Sequence, residues 1–81
     1  MIITVQLYPP LKYSDGQEIH KIDVEEGMTV EVLLKKLEKE KAFGDYGREG
    51  VFAIVNNDFA SANYILRPQE LVKIFLRPAG G

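Results

Sequence analysis

The chain contains no cysteine. That absence excludes disulfide staples, thiolate metal sites and any thiol nucleophile of its own, so packing alone must hold the fold. Histidine occurs once, at His20. A histidine cluster for a metal is therefore ruled out, no metal site is expected, and His20 reads as a satisfied strand residue. No apolar run approaches the roughly 18 residues of a membrane span, and no membrane association is expected. Positive charge is not in excess: the net charge is −2 and the pI about 5.3, which argues against a nucleic-acid surface. The opening Met1-Ile2-Ile3-Thr4-Val5 has no basic segment or cleavage pattern, and a cytoplasmic location is the expectation.

Catalytic signatures are missing as well. Gly44, Gly47 and Gly50 are spaced like part of a glycine-rich phosphate motif, but no strand precedes them and no Lys-Ser/Thr pair follows, so they read as loop. No carboxylate pair or Ser/His/Asp set is suggested. Glu25-Glu26 and the run from Glu38 to Lys41 read as solvated faces.

What is present suits one small domain, with 46% apolar and 27% charged residues over 81 positions. Ile3, Val5 and Leu7 alternate with polar residues, which predicts a strand with one buried face, ended by Pro9-Pro10. Ser14-Asp15-Gly16 is turn chemistry, and Glu18 to Val24 is a second strand. There His20, Ile22 and Val24 share a face and Ile19 is out of phase, which predicts a bulge or register change near its start. The two strands read as a hairpin with a long connection.

Thr29 is placed to cap a helix, with Glu31 near its positive dipole end. Val30, Leu33, Leu34 and Leu37 fall at i, i+3, i+4 and i+7 and form the buried stripe. Glu31 with Lys35, and Lys36 with Glu40, are i,i+4 pairs worth a few tenths of a kcal/mol each. Phe43 to Gly50 reads as a loop. Val51 to Val55 is an unbroken apolar run, as in a central strand covered on both faces. Asn56-Asn57-Asp58 and Arg67-Pro68-Gln69-Glu70 are turns around a short strand or single turns from Phe59 to Leu66, and Leu71 to Leu76 is the last strand. One helix across a mixed sheet of four to five strands buries the leucine stripe most simply. The fold class is therefore α+β, a roll of the β-grasp type over residues 1–76, with 77–81 as a flexible tail ending in Gly80-Gly81.

The order of elements, the Thr29-Val30-Glu31-Val32-Leu33 helix start, Ala53-Ile54-Val55-Asn56 before a turn, and Glu70-Leu71-Val72 leading to a terminal Gly-Gly together resemble a known family. It is the ubiquitin-like sulfur carriers: the small subunit of molybdopterin synthase and the thiamine-pathway carrier, with length and layout closer to the former. Two positions depart from that pattern. Pro68-Gln69-Glu70 stands where the family has an Asp-Gly-Asp turn. Leu76-Arg77, followed by Pro78, replaces a Pro-Pro pair and is a little like ubiquitin's own tail.

The resemblance implies a chemistry for the tail. An E1-like activating enzyme would use ATP to convert the Gly81 carboxylate to an acyl adenylate, and sulfide or a persulfide would displace AMP and leave a thiocarboxylate. The anionic sulfur is then a strong nucleophile, as thiolate outranks thiol. Such a chain is a co-substrate that binds no cofactor and meets a large synthase subunit or another acceptor enzyme. Molybdopterin synthesis is the expected destination; thiamine or another thiolation pathway, and protein modification, are alternatives.

Residue chemistry adds the requirement of reach. Glycine's lack of a side chain lets Gly80-Gly81 thread a narrow channel. Five residues after Leu76 span at most roughly 17 Å. Pro78 fixes one φ angle and lowers the entropy lost on threading. Docking also needs an exposed apolar patch. Phe75 is opposite in parity to Val72 and Ile74, so it either faces a partner beside Leu76, Arg77 and Pro78 or caps a minor second core; Phe59 and Leu7 are candidate neighbours, weighed against ordinary core packing. Lys73 and Arg77 either steer the tail or are simply solvated.

Overall fold

A computed structural model describes residues 1–78 of the chain. The elements follow in the order β1 (Ile2–Leu7), β2 (Ile19–Asp23), α1 (Val30–Lys39), a 3₁₀ turn (Arg48–Gly50), β3 (Val51–Val55), β4 (Asp58–Ala60) and β5 (Leu71–Leu76). The sheet order is β2-β1-β5-β3-β4. β1 and β5 are parallel neighbours at its centre, and the other pairs are antiparallel. This is a five-stranded mixed sheet with one main helix, the β-grasp arrangement.

The helix forms where the spacing requires it. Thr29 is extended, and its Oγ1 accepts the Val32 N–H at 3.3 Å. Val30, Leu33, Leu34 and Leu37 are buried. They meet the inner face of the sheet, where Ile3, Val5 and Leu7 of β1, Val51, Ala53 and Val55 of β3, and Val72 and Ile74 of β5 are all nearly inaccessible. Of the two surface pairs, Lys36 with Glu40 closes at 2.8 Å. The helix ends in a Schellman pattern: Ala42 N–H reaches Leu37 O at 2.9 Å and Lys41 N–H reaches Glu38 O at 3.0 Å. Lys41 takes the left-handed position, φ 66°, that usually falls to glycine. Ala42 and Phe43 then turn inward. Phe43 heads the fully buried side chains, so the stretch read as loop supplies a major core residue.

Two expectations are corrected. β1 and β2 pair without interruption from Ile2–Asp23 to Gln6–Ile19, so there is no bulge at the start of β2. Ile19 instead stands on the outer face opposite Gln6, 51% exposed. β3 is not covered on both faces: Val51, Ala53 and Val55 are buried beneath the helix, but Phe52 and Ile54 are only half-buried on the outer side. A single helix can cover only one face of the sheet, which leaves the outer face to solvent or to partners. The turn from β3 to β4 places Asn56 and Asn57 at φ 54° and 66°, a two-residue hairpin suited to asparagine. Among the described residues no helix is long and apolar enough to cross a membrane.

Candidate functional site

The outer face of the sheet carries a row of aromatic rings. Phe52 of β3 and Phe75 of β5 are direct cross-strand partners, with centroids 5.4 Å apart and planes 19° from parallel. Tyr8, just past β1, donates its N–H to Ile74 O at 3.0 Å and so stacks its ring on Phe75 at 4.2 Å. Phe59 of β4, paired with Ile54, lies diagonally from Phe52 at 6.0 Å. Offset aromatic pairs of this kind contribute about 0.5–1.5 kcal/mol each beyond the area they bury. They do not hide the row: Phe59 is 62% exposed, and Tyr8, Phe52 and Phe75 are half-buried. Holding bulky rings stacked yet wet on a rigid sheet is the geometry of an anchor surface.

The row lies beside the root of the tail. Val51 and Leu76 end the β3–β5 register, and one further bond, Arg77 N–H to Gly50 O at 2.8 Å, extends it. Arg77 and Pro78 are exposed. Leu76 is half-buried against the core, on the side of Val72 and Ile74, so it anchors the root and adds little to the exposed row. Gly80 and Gly81, named from the sequence as the reactive end, lie outside the described residues.

Leu7 does not join the patch. It is fully buried, because it shares the inner face with Ile3 and Val5, and strand alternation cannot place it beside Phe75 on the outer side. Lys73 is half-buried on the outer face between Gln6 and Ile54. His20 stacks on Tyr13 at 3.6 Å and pairs through Nε2 with Asp15 Oδ2 at 2.8 Å, which satisfies it locally. Among the described residues no group of three His, Asp or Glu side chains lies within reach of one metal ion.

Sequence reasoning missed Tyr8 and Phe52 in the row, and Glu38 behind the tail root. Glu38 is partly solvated but also bonded across the loop. Its Oε2 accepts the Arg48 N–H at 2.7 Å, and its Oε1 lies 3.6 Å from the Arg48 guanidinium. Glu70 plays a similar part in the turn before β5. It accepts the Arg67 N–H at 2.7 Å and the Tyr64 hydroxyl at 2.6 Å. That hydrogen bond, with a smaller contribution from burial, raises the Tyr64 pKa.

The chain matches the ThiS family over residues 5–81. No curated protein matches it. Its fold is that of SAMP1 from Haloferax volcanii (20% identity, TM-score 0.74, all of both chains covered). A Pyrococcus furiosus protein described as molybdopterin converting factor, subunit 1, is similar as well (20% identity, TM-score 0.77, covering 94% of this chain and 97% of that one). So is one chain of a complex of subunits 1 and 2 of the molybdopterin-converting factor from Helicobacter pylori (16% identity, TM-score 0.70, covering all of this chain and all of that one). At these identities the likeness is one of fold.

Proposed function

Since the chain belongs to the ThiS family of ubiquitin-like sulfur carriers, we propose that it carries sulfur as a thiocarboxylate on Gly81 and delivers it in molybdopterin biosynthesis. One observation carries this reading: β5 runs from the aromatic row at Phe75 directly into Arg77, the last of the described residues to be hydrogen-bonded to the sheet. A partner that grips Tyr8, Phe52, Phe59 and Phe75 thus holds the root of the tail at Arg77 in a fixed place. Four residues follow Arg77, and four residues reach at most about 14 Å. The fold neighbour solved as a complex of two converting-factor subunits supports the choice of a synthase subunit as one such partner.

A Gly81 carboxylate oxygen attacks the α-phosphorus of ATP and pyrophosphate leaves. Hydrosulfide attacks the acyl carbon and AMP leaves, which gives the thiocarboxylate. Its sulfur attacks an electrophilic carbon of the acceptor and displaces an oxygen leaving group there, forming a thioester; water then attacks the acyl carbon, which leaves the sulfur on the acceptor as a thiolate and restores the Gly81 carboxylate. The activating enzyme and the synthase subunit supply the catalytic groups, and this chain supplies the carboxyl group and the docking face. Intact-mass analysis of the native protein, after ATP, the activating enzyme and a sulfide source, should show one oxygen replaced by sulfur. Deletion of Gly81 should abolish the change. No change with the cognate enzyme rejects the proposal.

The likeness to SAMP1, described in a second structure as small archaeal modifier protein 1, favours one other reading. A lysine amine in place of hydrosulfide would resolve the same adenylate into an isopeptide bond. Conjugates in a lysate that vanish with Gly81 would support it, and their absence beside a clear thiocarboxylate would exclude it.

A further inference from the structure

The carrier reading requires the tail to leave the body from a defined point, and the structure shows what fixes that point. Gly50 is the last residue before β3 and the carbonyl partner of Arg77. Its own place is set by the 3₁₀ turn Arg48–Gly50, whose preceding residue, Gly47, has φ 69°. No side chain of the turn's cap holds it. The hold comes from across the loop, where Glu38 on α1 accepts the Arg48 N–H at 2.7 Å while lying 3.6 Å from the Arg48 guanidinium. Space for that carboxylate is narrow: a Cβ added at Gly47 would stand 3.1 Å from Glu38 Oε2.

We propose that Glu38 is a positioning residue for the tail, acting through the Arg48 amide and the Gly50 carbonyl to anchor Arg77 at the end of the sheet. This rests on the carrier reading. Helix α1 is locked to the sheet by four buried side chains, so its carboxylate is a fixed post. A hydrogen bond to an ionised acceptor is among the stronger ones available on a protein surface. Without it, among the described residues the turn keeps its weaker Gly50 N–H to Gly47 O bond of 3.2 Å and its junction with β3 at the buried Val51, and its Arg48 end is released. The sheet then ends at Leu76, and the tail departs one residue earlier from an undirected point. A reacting group misplaced by about 1 Å can lose up to a hundredfold in rate.

The test compares wild type with Glu38→Ala, Glu38→Gln and Gly47→Ala. Glu38 is partly exposed, so its truncation leaves the core intact. Amide exchange followed by NMR reads the anchor directly. In Glu38→Ala the Arg77 amide should exchange roughly tenfold faster, the size of one charge-assisted bond, while Val72 and Ile74 stay protected. ATP–pyrophosphate exchange with the E1-like enzyme of the same organism reads the consequence. The turnover number should fall roughly tenfold, with the KM for the carrier unchanged because the aromatic row is intact. Glu38→Gln keeps an oxygen for the Arg48 N–H and should restore most of both. Gly47→Ala keeps Glu38 but crowds its carboxylate and strains the turn at φ 69°, and should resemble Glu38→Ala. If wild type supports exchange but Glu38→Ala leaves Arg77 protection or turnover unchanged, the positioning role is overturned. If wild type supports no exchange, the carrier reading itself fails and the positioning role with it, while the Arg77 amide still reports whether the anchor exists.

Discussion

Phe52 and Phe75 face one another across β3 and β5, stacked with centroids 5.4 Å apart on the side of the sheet that the helix leaves bare. Stacking on an open face fixes rotamers before any partner arrives, which lowers the entropy lost on binding. Phe75 is the central ring, touching Tyr8 on one side and Phe52 on the other. If the proposed function holds, Phe75→Ala should weaken binding to the proposed synthase-subunit partner roughly tenfold to a hundredfold by titration calorimetry, with the far-UV circular dichroism unchanged. Ile19→Ala serves as control, since Ile19 is exposed on β2 at the far edge of the same face. Equal loss in both variants would point to a diffuse surface with no anchor.

Lys41 is a non-glycine residue at the left-handed position that closes α1, φ 66°. The Schellman bonds around it are fully made, so only its own Cβ opposes the geometry. Lys41→Gly should therefore stabilise the protein by about 1 kcal/mol in urea titration, even though glycine elsewhere costs backbone entropy. A destabilised variant would show that the Lys41 side chain contributes more than its backbone costs.

The parts of this molecule that periodicity governs were legible in the sequence. Helical spacing picked out Val30, Leu33, Leu34 and Leu37, and strand parity put Phe75 opposite Val72 and Ile74. Placing Leu7 in the patch broke that same parity, since Ile3, Val5 and Leu7 must share a face. Phe52 was hidden for a different reason. In an unbroken apolar run each residue looks equally buried, and only the register Phe52–Phe75 shows which face stays open. Glu38 occupies a position that helical spacing alone assigns to the wet side. Its partner is ten residues on, beyond a glycine-rich loop to which no period applies. Contacts of that kind are tertiary and leave no local trace.

Phe43 is 1% exposed although the chain around it has no regular secondary structure. It follows directly on the helix cap and fills the end of the core. Truncating such a buried ring costs roughly 3–5 kcal/mol, through lost transfer energy and the cavity left behind. A domain of this length has only about 4–12 kcal/mol in total. Phe43→Ala should therefore lower the urea midpoint severely and leave a fraction of molecules unfolded at room temperature. A loss under about 1 kcal/mol would mean that the loop collapses to refill the space.

Among the described residues the Tyr13 hydroxyl is buried without a hydrogen-bond partner, and its pKa is pushed up to about 12 by burial, with the Glu40 and Asp15 carboxylates adding to the rise. The ring also stacks on His20, which is paired with Asp15. A raised folded-state pKa means that the folded protein holds this proton more tightly than the unfolded chain does. The resulting stability is fully present below the ordinary tyrosine pKa of 10.0 and is lost as pH climbs through about 12. Denaturation midpoints should thus decline between those values in wild type, and Tyr13→Phe should remove part of the decline. At neutral pH the same variant discards a polar group that bonds to nothing, so it should be as stable as wild type or more so. A Tyr13→Phe protein that is less stable at neutral pH and keeps the full alkaline slope would show that the hydroxyl has a bonded partner, and that other groups govern the alkaline transition.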